Sequence, residues 1–316
     1  MGADELLTTV VFDLGGVVLE WSPERAFGQV LPAEQVGTFM TKIDFYEWNR
    51  RHDGGLQFDL GEQELIEKFP DDAEAVRAYR KHFEHTLSGL VEGTGAIIAE
   101  LQQRGVRLLA LTNWSAETFP VAREKFGLLQ RFEEILVSGE ERLAKPDPEI
   151  FRLIARRYQV RPESCIFIDD SAANVQAADG VGFTGIRFTD AAALRSRLED
   201  LRLLPPRRPI GQPIFHLTER EVWQAAQDGG AFPWSSRNLS YLRRGFVHCS
   251  FRSQLPAVAA RVYSDLPPEQ LIVLELDPDT ISPPVVVEQL GPGGGYPHLY
   301  GELPIDGVTR VHNWPL

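Results

Sequence analysis

The chain has 316 residues, 43% of them hydrophobic, enough for the cores of two ordinary domains. A formal net charge of −13 opposes nucleic acid or an anionic membrane as the main partner, and no apolar run approaches the ~18 residues that span a bilayer. Cys165 and Cys249 lie far apart and read as free thiols of a reducing cytoplasm, and the acidic start Met1-Gly2-Ala3-Asp4-Glu5 carries no mark of a secretory leader.

Residues 8–12 (TTVVF) form a β-branched, apolar run of the kind buried on both faces of a sheet. The run ends at Asp13, followed by Gly15-Gly16, where the chain can turn sharply. Residues 22–90 read as helical segments rich in Phe, Tyr and Trp. A second buried strand, 106–111 (VRLLAL), ends at Thr112-Asn113. A third, 134–138 (EILVS), leads to Lys145-Pro146-Asp147-Pro148. There Asp147 suits a helix N-cap and Pro148 the first helical position. The helix that follows places Ile150, Leu153, Ile154 and Arg157 on adjoining turns. A fourth strand, 165–168 (CIFI), ends at Asp169-Asp170; Ser171 caps the next helix, which stops at Gly180. Residues 185–188 (GIRF) are a fifth strand.

Continuous apolar strands alternating with helices predict an α/β domain, a doubly wound parallel sheet, over residues 1–203. In such sheets ligands sit beyond the carboxyl ends of the strands. Asp13, Thr112 and Asp169-Asp170 each follow a strand, and Lys145 lies in the loop after another. Taken singly, Asp13 suits a strand-end turn, Thr112 a satisfied hydroxyl, Lys145 a solvated charge, and Asp169-Asp170 an acidic helix start. Four such coincidences at four strand ends point to a site.

The order VVFDLGGVV, LTN, Lys-Pro loop, IFIDD resembles the haloacid dehalogenase superfamily over roughly residues 6–203. The resemblance implies a magnesium-dependent phosphatase fold with a small helical cap, about 20–92. In it Asp13 attacks phosphorus and carries an aspartyl phosphate. It implies Mg2+ ligands at Asp13, the Gly15 carbonyl and Asp170, with Asp169 a ligand or close support and Asn174 steadying the loop. Lys145 would offset charge on the nucleophile and phosphoryl oxygens, and Thr112, Asn113 and Gly16 would hold the phosphoryl group. The substrate class is a small organic phosphate. Trp21, Phe45, Tyr46 and Trp48 would contact it or form the cap's own core.

Phosphatases of this family usually carry a second Asp two residues after the nucleophile, as general acid and base. This chain has Gly15 there. That acid–base work is typically worth ~100- to 10,000-fold. A substrate with a good leaving group, a substitute such as His52 or Asp53 in the cap, or loss of the reaction would each account for the glycine. Dehalogenases of 2-haloacids also lack the second Asp and need no metal. The paired Asp169-Asp170, however, favours a metal and a phosphatase. A non-catalytic binding or regulatory protein is the remaining class.

Residues 204–213 (LPPRRPIGQP) carry four prolines and no apolar period, so 204–212 is a linker. Short strands (IFHL, GFVHCSF, LIVLEL, PVVVEQL) and Gly/Pro turns such as GPGGGYP then predict a small α+β domain over 213–316. Its segments with His216, His248 and His298 resemble a family of unknown function, number 952, itself distantly similar to the ADP-ribosyltransferase fold. With Ser250, Tyr300 and Glu302 these histidines would line one pocket. A nucleotide or NAD is implied only through the fold, and zinc by three imidazoles; buried histidines that satisfy backbone groups are the favoured account of the pattern.

Overall fold

The computed structural model describes residues 7–289 and 294–316. The acidic start of the chain and residues 290–293, which include the end of the expected PVVVEQL strand and part of the GPGGGYP turn, lie outside the described residues. The chain divides into two compact units. The first comprises Met1–Val91, Gly105–Lys125 and Leu129–Arg197; the second comprises Glu92–Arg104, Phe126–Leu128 and Leu198–Leu316.

In the first unit, β1 (Thr9–Phe12), β4 (Arg107–Thr112), β5 (Glu134–Val137), β6 (Cys165–Asp169) and β7 (Thr184–Arg187) form a parallel sheet in the order β5-β4-β1-β6-β7. All four residues of β1 and all five of β6 are buried, as continuous apolar runs covered on both faces must be. Phe12 pairs with Ala110 on one side and Ile168 on the other, so β1 is the central strand where the order reverses. Helix Pro148–Arg157 starts as expected, the Asp147 carboxylate accepting from Glu149 N at 2.9 Å. Ile150, Phe151 and Ile154 are fully buried against Val11, Leu109 and Phe167, each burial contributing roughly 1.5–3 kcal/mol. Leu153 is half-buried and Arg157 stands outside, paired with Glu141 at 2.5 Å. Ser171 caps Ala172–Asp179 as expected; Gly180 keeps a right-handed φ of −63°, and the left-handed turn comes at Gly182.

The cap is built from helices Glu24–Phe27, Ala33–Lys42, Phe45–Asp53, Phe58–Lys68 and Ala73–Lys81. Its core is aromatic: Phe27, Phe45, Trp48 and Phe58 surround Tyr79, with Phe45 and Tyr79 centroids 5.0 Å apart. The cap is not helical throughout. The chain enters it through β2 (Leu19–Trp21) and leaves through β3 (Leu87–Leu90), and the two pair antiparallel. A glycine and a serine inside LSGL hide that strand from a propensity reading.

In the second unit, β8 (Ile214–Glu219), β12 (Leu271–Leu276) and β15 (Val308–Asn313) form one antiparallel sheet in the order β15-β12-β8. Another contains β11 (Val247–His248), β14 (Tyr296–Leu299) and β13 (Val285–Glu288). β9 (Trp234–Ser236) and β10 (Leu239–Ser240) pair separately. Phe215, Leu217, Leu255, Leu271 and Val273 anchor one core of this unit.

No helix among the described residues is long and apolar enough to cross a membrane.

Candidate active site

The strand ends place the predicted residues together. Asp13 directly follows β1, with its backbone N–H donating to Ile168 O at 2.8 Å. Thr112 is the last residue of β4 and Asp169 the last of β6, with Asp170 next. Lys145 arrives by the loop after β5, fixed by Asn113 in a reciprocal clasp. Asn113 Nδ2 donates to Lys145 O, and Lys145 N donates to Asn113 Oδ1, both at 2.8 Å. The Asn113 carboxamide is therefore committed to positioning Lys145.

Lys145 Nζ then reaches three oxygens: Asp13 Oδ1 at 2.8 Å, Asp169 Oδ2 at 2.7 Å and Leu111 O at 3.0 Å. Asp13 Oδ1 also accepts from Leu14 N at 2.7 Å, while no hydrogen bond reaches its Oδ2 among the described residues. Asp169 is fully occupied. Its Oδ1 accepts from Ser171 N at 2.8 Å, and Asn174 Nδ2 lies 3.0 Å from both of its oxygens. Asn174 thus steadies this loop, as expected.

Asp13, Asp169 and Asp170 each bring one carboxylate oxygen within 4.8 Å of the others. At that spacing each charged pair repels by on the order of 3 kcal/mol at an effective dielectric of ~20. One ammonium does not neutralise three carboxylates, and the titration behaviour reflects this. Burial raises the Asp13 carboxyl to about 7; Lys145 opposes the rise and Asp169 adds to it. Burial, then Asp169, also raises Asp170. Burial alone would lower the Lys145 ammonium, but Asp13 and Asp169 outweigh it and hold it above its ordinary value. The all-oxygen donor set and the unbalanced negative charge fit a hard divalent cation such as Mg2+.

The two glycines of the loop differ. Gly16 has φ +74°, and a Cβ there would lie 2.8 Å from Asp170 Oδ2, so glycine lets the Asp170 carboxylate close on the loop. Gly15 has ordinary φ and nothing within 4 Å of a built Cβ. The position of the missing second Asp is open space.

That space belongs to a cavity of about 90 Å3 under the cap. Gly15, Asn113, Trp114 and Thr118 line it from the core, and Trp21, Asn49, Asp53, Tyr79 and Phe83 from the cap. Of the four aromatics singled out in the sequence, Trp21 lines the cavity, Phe45 and Trp48 are buried in the cap's core, and Tyr46 is 61% exposed. Tyr79, Phe83, Trp114, Asn49 and Thr118 escape the sequence reading. Two carried a signal: Trp114 adjoins Asn113 at a strand end, and Asn49 stands one helical turn before Asp53.

His52 and Asp53 part company. The His52 ring is fully buried, stacked on Phe58 with centroids 4.1 Å apart, its Nδ1 2.8 Å from Leu56 O. Asp53 faces the cavity.

In the second unit, His248 and His298 are register partners on β11 and β14, their rings 5.4 Å apart. His216 Nδ1 lies 2.7 Å from His248 O, and Ser235 Oγ 2.9 Å from His248 Nδ1. The buried Glu288, unnoticed within its apolar strand, takes His298 Nδ1 at 2.6 Å and the Tyr300 hydroxyl at 2.5 Å on one oxygen. Ser250 is buried, its backbone paired with Phe215, whereas Glu302 is exposed. Burial lowers His216 to about 4. Burial, then His298, lowers His248 to about 3, so both rings are neutral near pH 7.

A family model described as haloacid dehalogenase-like hydrolase matches residues 7–182, and one described as a protein of unknown function (DUF952) matches residues 217–311. Among curated proteins, a sesquiterpene phosphatase of Aspergillus oryzae is 26% identical over 199 residues, covering 60% of this chain and 94% of that protein. A phosphoglycolate phosphatase of Shigella boydii is 26% identical over 212 residues, covering 60% and 84%. A solved HAD family enzyme of Bacteroides thetaiotaomicron, described as a magnesium complex, is 21% identical, covers 61% of this chain and 98% of that one, and has a TM-score of 0.49.

Proposed function

The chain belongs to the haloacid dehalogenase-like hydrolase family, and on that premise we propose a magnesium-dependent phosphatase that acts on small organic phosphates through an aspartyl phosphate on Asp13. The observation that carries this reading is the carboxylate cluster of Asp13, Asp169 and Asp170 closed against a single buried ammonium. Displacement of halide from carbon has no need of such a cluster, whereas attack by a carboxylate on a phosphate dianion does. The phosphatase names of the two curated relatives support the same choice.

Asp13 and Asp170, with the Gly15 carbonyl, would hold the ion, while Asp169 is engaged with Lys145, Ser171 and Asn174. Bound there, Mg2+ would supply neutralisation of phosphoryl charge. Lys145 orients Asp13 through Oδ1 and leaves the other carboxylate oxygen to attack phosphorus. The Thr112 hydroxyl and the Asn113 backbone N–H would receive phosphoryl oxygens, whereas the Gly16 N–H, expected to join them, donates to Leu19 O at 2.9 Å. The cavity, walled by Trp21, Tyr79, Phe83 and Trp114, suits a small organic group. Residues 1–203 are the hydrolase part and 213–316 the appended part, joined by 204–212. For the latter, the ties of His216 and His298 to a carbonyl and a buried carboxylate support a packed polar scaffold over a nucleotide or NAD site.

The deciding experiment assays the full chain on a panel of phosphorylated metabolites and aryl phosphates, with Mg2+ and with chelator, beside 2-chloropropionate. Phosphate release that requires Mg2+ is the expected result. Chloride release without metal would replace the phosphatase by a dehalogenase.

A further inference from the structure

The Gly15 position leaves the proton-transfer step without an owner, and the cap has one side chain placed to take it. Asp53 is the last residue of the Phe45–Asp53 helix and lines the same cavity as Gly15 and Asn113. It is held from both sides. Its backbone carbonyl accepts from Ser138 Oγ at 2.5 Å, and that hydroxyl in turn accepts from Trp114 N at 2.9 Å. Its carboxylate accepts from Asn49 Nδ2 at 3.0 Å. Ser138 and Trp114 both belong to the core, adjoining the ends of β4 and β5. The cap therefore brings this carboxyl to the strand ends and fastens it there. The carboxyl is half-buried and has no cationic partner in contact among the described residues, which is an unfavourable place for its charge.

We propose that Asp53 is the general acid and base of this hydrolase, replacing from the cap the carboxyl that the nucleophile loop lacks at Gly15. The proposal rests on the phosphatase reading given above. In the first step an Asp13 oxygen bonds to phosphorus, the bond from phosphorus to the leaving-group oxygen breaks, and the Asp53 carboxyl gives its proton to that oxygen, releasing an alcohol. In the second step Asp53, now a carboxylate, takes a proton from water as the water oxygen bonds to phosphorus. The acyl phosphate bond breaks, inorganic phosphate leaves, and the Asp13 carboxylate is restored.

The electrostatics suit both steps. Burial first, then the Asp13 charge, raises Asp53 to about 7, against the Ser115 N–H and Lys145. Tyr79 is the other titratable group that senses Asp53, its phenol held neutral by burial. A carboxyl divided between its two forms near neutral pH serves as acid and base in turn. His52, its neighbour, is stacked inside the cap and does not line the cavity.

The test compares wild type with Asp53→Asn in the full chain with Mg2+, on an alkyl phosphate and on 4-nitrophenyl phosphate. Wild type hydrolyses both. Asp53→Asn should lose ~100-fold or more on the alkyl ester and less than about tenfold on the nitrophenyl ester, whose leaving group needs no proton. The alkyl-ester rate should also lose its pH limb near 7. Gly15→Asp, added to Asp53→Asn, should restore alkyl-ester turnover, because position 15 accepts a side chain. This rescue separates lost chemistry from lost folding. An equal loss on both esters in a folded variant, or no loss, overturns the assignment of Asp53. A wild type that releases phosphate from neither ester overturns the reading beneath it.

Discussion

Lys145 and Asp13 meet as a buried pair, Nζ to Oδ1 at 2.8 Å, although 132 positions of sequence separate them. The pair forms because Asn113 grips the Lys145 backbone and Asp169 accepts the same ammonium. The orientation of Asp13 therefore depends on three different strand ends.

Lys145→Met should lower turnover of an aryl phosphate by ~100-fold or more, the usual scale for removing a preorganised charge. It should also destabilise the metal-free chain by roughly 3–5 kcal/mol, because Asp13 and Asp169 lose their buried partner. Steady-state rates and denaturant midpoints measure the two. A variant with wild-type turnover would remove Lys145 from the site.

Asp13→Asn should fold and retain no more than background turnover, since a carboxamide oxygen is a poor nucleophile. Circular dichroism establishes the fold and phosphate release the rate. Wild-type turnover in this variant would rule out the aspartyl phosphate.

Asp170→Ala should weaken Mg2+ binding. Groups that merely support a metal ligand typically cost ~10–100-fold in affinity, and a direct ligand should cost no less. Titration calorimetry on both proteins gives the ratio; equal affinities would place the ion elsewhere.

Stability of the metal-free chain should carry a pH signature from Asp53. Its carboxyl is raised from an ordinary 3.8 to about 7 by burial and then by Asp13. Between those values the folded chain binds more protons than the unfolded one. Stability therefore falls as pH rises through about 4 to 7. Asp53→Asn should remove the Asp53 share of that fall, leaving the share of Asp13, and gain on wild type at pH 8. Melting temperatures with chelator across the range test this; identical slopes in the two proteins would mean that Asp53 titrates normally.

Glu288→Ala should destabilise the second unit by about 3 kcal/mol. It removes the carboxylate oxygen that takes both the buried His298 imidazole and the Tyr300 hydroxyl, and each lost hydrogen bond to a charged group costs ~1.5–3 kcal/mol. A melting transition unchanged from wild type would show that water replaces the carboxylate.

What the sequence made legible follows from burial. β1 and β6 are covered on both faces, so TTVVF and CIFI stand out as unbroken apolar runs, and the residues after them mark the edge that carries the candidate site. Asp147-Pro148 and Ser171 announce helices by local chemistry alone. Asp53 was visible only as a carboxyl near a histidine. Its standing depends on Ser138, whose hydroxyl reaches it through a tertiary contact with no local pattern. β11 was read within GFVHCSF but spans only two residues of it, and β3 contains a glycine, too weak for a periodic signal. Glu288 was hidden for the opposite reason: its apolar neighbours argue for a strand and say nothing of the hydroxyl and imidazole that it would hold.

The cap enters and leaves the core along two paired strands, β2 and β3. Two straps laced together resist twisting more than two loose ones, so the Glu20–Gly89 pairing limits how the cap can turn on its stem. The Ser138 hydroxyl holds the far end, at the close of the Phe45–Asp53 helix, and the cap is thereby tethered at two separate points. Loosening the lacing at Glu20 and Gly89 should therefore blur the position of Asp53 over the strand ends before it unfolds the cap.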